Sequence, residues 1–388
     1  MNRIMNILIA PNAYKNSLSA AAAAESIRDG ILQSKLKCTC ECFPVGDGGD
    51  GTAELIIQHF NGHTITVDVH DPLGRKIRSS FGLIDKDNTA VIEMADASGL
   101  RLLNANELAP LCASTYGTGE LIKAALDCHV KKIIIGIGGS ATVDGAVGLL
   151  QALGVRFLDA SGKILSNLPE RLVELVEIDL SGLDKRILQC ELVVLCDVEN
   201  TLLGENGAAS IFGPQKGATA DQVKKLETAL TKFRDITFQK IGYDMAAIKH
   251  GGAAGGTAAG VAAYLQAKLV NGIDYFLEIT GFDDQLQKAD IVITGEGSID
   301  SQTLLGKGPF GVARDAKKKN IPVIGFAGKV PATYDIKLQE YFDSLIAIGH
   351  GATDLATALQ STGADLQRTA REVGNLLAIQ CLQNKKNQ

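Results

Sequence analysis

Short apolar runs at residues 4–10, 38–45, 131–137, 192–196, 290–294, 322–327 and 345–348 constrain this chain more than any other feature. Each ends in a glycine-rich or polar loop, and long helical stretches separate most of them. That alternation predicts parallel strands with helices packed on the sheet faces, an α/β fold. A different rhythm appears at 76–84 and 89–94, where the residues alternate like an antiparallel pair joined at Asp87-Asn88. The alternation of strands and helices towards the C-terminal end mirrors that of the first 65 residues. The expected architecture is one doubly wound domain made from both chain ends, 1–70 with 286–388, and a second α/β domain inserted at 71–285.

Composition narrows the partners. The 388 residues carry 38 Lys plus Arg against 44 Asp plus Glu, a formal net charge of −6, which argues against nucleic acid or an anionic membrane. With no Trp and few other aromatic residues, stacking platforms for bases are not expected, whereas 42 Gly suit sites lined by backbone. The eight Cys form no C-x-x-C pair, so a structural zinc is not expected. Cys38, Cys40 and Cys42 alternate along one strand and read as small apolar side chains in a reducing compartment. No stretch approaches the ~20 apolar residues of a membrane span, and the expectation is a soluble cytoplasmic protein.

Glycines at the carboxyl end of a strand let main-chain N–H groups approach an anion. The run Ile133-Ile134-Ile135-Gly136-Ile137 passes straight into Gly138-Gly139-Ser140-Ala141-Thr142, and a phosphate nest of Gly138, Gly139, Ser140 and Thr142 is the natural reading. The same stretch fits G-x-G-x-x-A at Gly136, Gly138 and Ala141 with Asp159 downstream, so a nicotinamide-dinucleotide enzyme stands as an alternative. Acids follow buried runs at Asp47, Asp197, Glu296 and Asp300, where a carboxylate can hold Mg²⁺ or accept a proton from a hydroxyl. Lys15 lies in the loop after the first strand, a place for a phosphate or carboxylate partner. Of six His, only His70, beside Asp71, draws notice.

In order along the chain, these motifs resemble those of the bacterial type-I glycerate kinase family. They are Ala10-Pro11-Asn12-Ala13-Tyr14-Lys15-Asn16-Ser17-Leu18, Gly46-Asp47-Gly48-Gly49-Asp50-Gly51-Thr52, Thr115-Tyr116-Gly117-Thr118-Gly119-Glu120, residues 136–145 and Cys196-Asp197-Val198. Phe212-Gly213-Pro214-Gln215-Lys216-Gly217-Ala218, Gly252-Ala253-Ala254-Gly255-Gly256 and Gly295-Glu296-Gly297-Ser298-Ile299-Asp300 complete the series. The resemblance implies a flavodoxin-like domain with an inserted α/β domain and an ATP-dependent kinase of D-glycerate. Departures from the family pattern stand at Asn12, Ala13, Val143 and Ser298, the last where an arginine is usual.

The expected reaction transfers the γ-phosphoryl group of ATP to a hydroxyl of D-glycerate, with 2-phosphoglycerate favoured over 3-phosphoglycerate; a related short hydroxy acid is the alternative substrate. Gly138, Gly139, Ser140, Thr142, Gly255 and Gly256 are the expected nucleotide site, and Lys15 the neutralising cation. Asp47 or Asp197 is the expected base, and Glu296 and Asp300 the candidates for Mg²⁺.

Overall fold

Thirteen strands lie among residues 4–333 and 335–386, the residues that the computed structural model describes, side chains of 380–386 excepted. In chain order they are β1 (Met5–Ile9), β2 (Cys38–Cys42), β3 (His63–His70), β4 (Lys76–Ile84), β5 (Thr89–Glu93), β6 (Lys132–Gly136), β7 (Arg156–Leu158), β8 (Glu177–Asp179), β9 (Glu191–Cys196), β10 (Lys268–Asn271), β11 (Ile291–Ser298), β12 (Val323–Lys329) and β13 (Ser344–Ala347). Every apolar run named above overlaps one of them, and 76–84 with 89–94 is the antiparallel pair β4–β5. The chain falls into two compact units, one up to Asp47 and from Ile273 onward, the other Gly48–Gly272.

The first unit holds a five-stranded parallel sheet in the order β2-β1-β11-β12-β13. Counted within the unit this is 2-1-3-4-5, the flavodoxin-like order. Period-two alternation places Ile7, Ile9, Ile291, Ile293, Ile324 and Phe326 in one buried cluster with Ile27, Ile31, Leu366 and Ala370 of the helices Ala20–Leu32 and Leu355–Lys386. The intervening Leu8, Val292 and Val323 are buried on the other face, where the helix Gly308–Lys318 packs on β11 and β12. Ser19 starts the first of these helices, its hydroxyl accepting from Ala22 N–H. The side chains of Cys38, Cys40 and Cys42 pack against this core and burial pushes their thiols up, while the side chain of Cys381 lies outside the described residues.

The second unit has a six-stranded mixed sheet, β10-β9-β6-β5-β4-β3, parallel from β10 to β5 and antiparallel beyond. Its edge explains where the units part. β3 pairs with β4 from His63 and Leu83 to His70 and Lys76, and the helix Thr52–His59 packs on β4 and β5. The compact boundary therefore falls after Asp47, ahead of these elements, rather than at 70/71. At the other end Ile273 packs on Gly311 of the first unit, so the boundary falls after Gly272 rather than at 285/286.

Candidate active site

Open parallel sheets receive ligands beyond the carboxyl ends of their strands, where the strand order reverses. In the first unit that point lies between β1 and β11. The chain leaving β1 stays attached to β11, since Ala10 N–H donates to Ile293 O at 2.7 Å and Asn12 N–H to Gly295 O at 2.8 Å. The exposed Lys15 follows on a loop anchored by buried Tyr14, whose hydroxyl donates to Phe326 O at 2.8 Å. Asn16 closes the loop in the left-handed region, at φ 62°.

Asp47 is 7% exposed, and its Oδ2 accepts from Asn12 Nδ2 at 2.7 Å and Gly308 N–H at 3.2 Å. Gly308 opens the helix Gly308–Lys318, so the carboxylate meets the positive end of a helix dipole. Glu296, near the end of β11, accepts from Thr303 Oγ1 at 2.9 Å. Burial, reinforced by the charge of Asp47 and opposed by Lys307 and Lys15, pushes its carboxyl up to about 7. Asp300 Oδ1 accepts from Gln302 N–H at 2.9 Å, and Asp300 N–H donates to Thr303 Oγ1 at 3.2 Å. Thr303 thus links the two acids. The structure brings Lys15, Asp47, Glu296 and Asp300 together at one end of one sheet, with Lys307 and Thr303 as members that motif reading passed over.

In the second unit β6 delivers the glycine-rich loop. Gly138 N–H donates to Gly48 O at 2.9 Å, and a Cβ there would stand 2.5 Å from Gly49 Cα. This glycine serves the close approach of two loops, and its N–H is already spent, a correction to its expected part in a nest. Ala141 N–H is spent on Ser98 O at 2.9 Å. Among the described residues, the N–H groups of Gly139, Thr142 and Val143 donate to no acceptor, and the buried Thr142 Oγ1 has no partner. Gly255 and Gly256 lie behind the loop, both left-handed at φ 67° and 88°. Gly255 O accepts from Gly145 N–H at 3.1 Å, and a Cβ on Gly255 would stand 2.6 Å from Val143 Cα. The structure makes these two the backing of the loop.

Asp144 secures the loop's far end. At 1% exposure its carboxylate accepts from Thr115 N–H at 2.9 Å, Thr115 Oγ1 at 2.8 Å, and Ala146 and Gly148 N–H at 3.2 Å each. Burial holds its carboxyl above the usual carboxylate range against these bonds. Lys216, to which motif reading gave no role, is 3% exposed, and its Nζ donates to Ser140 Oγ and Thr142 O at 2.7 Å each. Burial pushes this amine down to about 7, opposed by the charges of Asp144 and Asp197. Its one local signal is a lysine between Pro214 and the left-handed Gly217. Asp197 follows β9 and is half-buried. His70 is paired with Glu120, its Nδ1 2.9 Å from Oε1.

The dinucleotide reading needs Asp159 at the end of the next strand of the same sheet. Instead β7 pairs with β8 in a separate two-stranded sheet, and the Asp159 carboxylate accepts from Ser161 N–H at 2.8 Å and Lys163 N–H at 3.1 Å. That acid closes its own turn.

For Mg²⁺, no group of three or more His, Cys, Asp or Glu among the described residues is placed to hold a metal. Mg²⁺ ordinarily takes one or two protein carboxylates beside phosphate oxygens and water. Glu296 and Asp300, hard oxygen donors with the neighbouring charge of Asp47, fit that smaller requirement.

The chain is similar to known proteins along nearly its whole length. Residues 7–378 match the profile of the Glycerate kinase family. A glycerate kinase of Bacillus subtilis (strain 168) is 45% identical over 369 residues, covering 95% of this chain and 97% of the relative. The Escherichia coli (strain K12) protein named glycerate 2-kinase is 40% identical, covering 97% and 98%. A crystal structure from Salmonella typhimurium LT2, described as a glycerate kinase 2, superposes with a TM-score of 0.82 at 41% identity over 98% of this chain and 100% of that one. The chain belongs to the glycerate kinase family and is an enzyme of the kinase type.

Proposed function

We propose that the protein transfers the γ-phosphoryl group of ATP to a hydroxyl of D-glycerate, giving ADP and phosphoglycerate. The observation that carries this reading is the 138–144 loop, whose Gly139, Thr142 and Val143 N–H groups and Thr142 hydroxyl have no acceptor among the described residues. Phosphate oxygens are the acceptors such a loop suits. Phosphoryl transfer passes through a loose transition state, so alignment and charge stabilisation carry most of the catalysis. Ser140 and Thr142 help hold phosphate oxygens, and Lys15 neutralises charge on the transferring group or on the glycerate carboxylate. Asp47, oriented by Asn12 and by Gly308 N–H, aligns the attacking hydroxyl and takes its proton, a contribution of about 10² to 10⁴ in rate. Asp197 is the second candidate for that proton. Glu296 and Asp300 would hold Mg²⁺, which supplies neutralisation of phosphate charge.

The name of the Escherichia coli relative favours transfer to the 2-hydroxyl. A related short hydroxy acid is the alternative acceptor, because Ser298 turns its hydroxyl towards Asp300, at 3.5 Å, where the family usually carries arginine. Phosphorus NMR of the protein with Mg-ATP and D-glycerate, beside L-glycerate and acid-free controls, tests both. A 2-phosphoglycerate resonance growing with ADP is expected. Unchanged ATP with D-glycerate and turnover with another hydroxy acid would replace the substrate; unchanged ATP throughout would remove the reading.

A further inference from the structure

We propose that Lys216 is the cation of the phosphate site, acting from beneath the 138–144 loop through its bonds to Ser140 Oγ and Thr142 O. This deepens the function proposed above and rests on it. An ammonium has three donors, and two of them go to neutral oxygens of the loop, at 2.7 Å each. A lysine 3% exposed and bonded only to neutral acceptors is an unfavourable arrangement unless an anion completes it. The anions facing it do not serve as direct partners. Asp144 already accepts four hydrogen bonds from Thr115, Ala146 and Gly148, and it and Asp197 act on Lys216 only as nearby charges. A second observation points to a ligand at the same place. Thr142, whose carbonyl Lys216 holds, is fully buried with an unpartnered hydroxyl.

Burial pushes the Lys216 amine down to about 7, so near neutrality the site is only part-charged. A polyanionic nucleotide favours the ammonium form, and the missing proton comes from the buffer. Binding is then linked to proton uptake, of about 0.9 proton at pH 8 and about 0.1 at pH 6.

Titration calorimetry of the full-length protein with Mg-ATP, without glycerate, in two buffers of different ionisation enthalpy measures this number directly. The wild type should take up about 0.9 proton more than K216M at pH 8 and about 0.1 more at pH 6, a difference that cancels protons moved at other groups such as Glu296. K216M should bind about tenfold more weakly at pH 7. K216R, charged at every pH used, should show the same linkage as K216M and retain its affinity at pH 8. A wild type that binds Mg-ATP with the same linkage as K216M and K216R overturns the role of Lys216 and leaves the kinase reading standing. A wild type that binds no Mg-ATP overturns both. If K216M does not fold, the wild type and K216R alone decide.

Discussion

Replacing Asp144 by alanine tests whether the 138–144 loop is held by one buried carboxylate. The side chain is 1% exposed and accepts from three backbone N–H groups and one hydroxyl. Its removal strands the N–H groups of Thr115, Ala146 and Gly148 without acceptors. Each unsatisfied buried donor costs about 1–3 kcal/mol, but the bonds share one carboxylate whose own burial is unfavourable, so they do not add in full. Thr115 Oγ1 also keeps its bond from Leu149 N–H. The expected loss is about 3–5 kcal/mol, the range for removing the centre of a buried polar network. For a unit of this size about 2–4 °C accompanies each kcal/mol, which gives about 6–20 °C in melting temperature. Differential scanning calorimetry of D144A at pH 7.5 reads it, and D144N, which keeps one acceptor oxygen, should fall between. A D144A protein melting within 2 °C of wild type would refute the argument.

Lys15→Ala should abolish turnover with the melt unchanged, because Lys15 is exposed and its loop is anchored through Tyr14; near-normal kcat and KM in a coupled ADP assay would remove it from the mechanism. Gly255→Ala should destabilise by about 2–4 kcal/mol, since the residue stands at φ 67° and an added Cβ would meet Thr142 O and Val143 Cα, and chemical denaturation should show it together with a raised KM for nucleotide. Lys216 has a folded pKa pushed below its unfolded value, so between about 7 and 10 the unfolded chain binds more protons and stability rises with pH. Relative to K216M, the wild type should therefore gain stability from pH 7 to pH 9, by at most about 1.4 kcal/mol per unit; urea melts at both pH values check the sign.

Local features were legible because their causes are local. The run at residues 4–10 contains β1, and Ser19 caps the helix that follows because a hydroxyl before an alanine-rich stretch can serve Ala22 N–H. Alternation at 76–84 announced an antiparallel partner because side chains on a half-covered sheet must alternate. Acids and glycines at strand ends marked Lys15, Asp47, Glu296 and Asp300, which meet around the ends of β1 and β11.

The amino-acid sequence by itself determined the strand and helix periodicity, the α/β class and the loops in which polar groups could gather, since each follows from neighbours a few residues apart. Tertiary structure alone decided the strand order, the place where the units part and which donors remain unspent. Ile7 pairs with Ile291, Gly138 loses its N–H to Gly48, and Lys216 reaches Ser140 across 76 residues of chain. Contacts at such separations leave no periodic trace. They exist because burial of distant apolar faces draws these backbones together, and the same burial that hides Lys216 lowers the proton affinity of its amine.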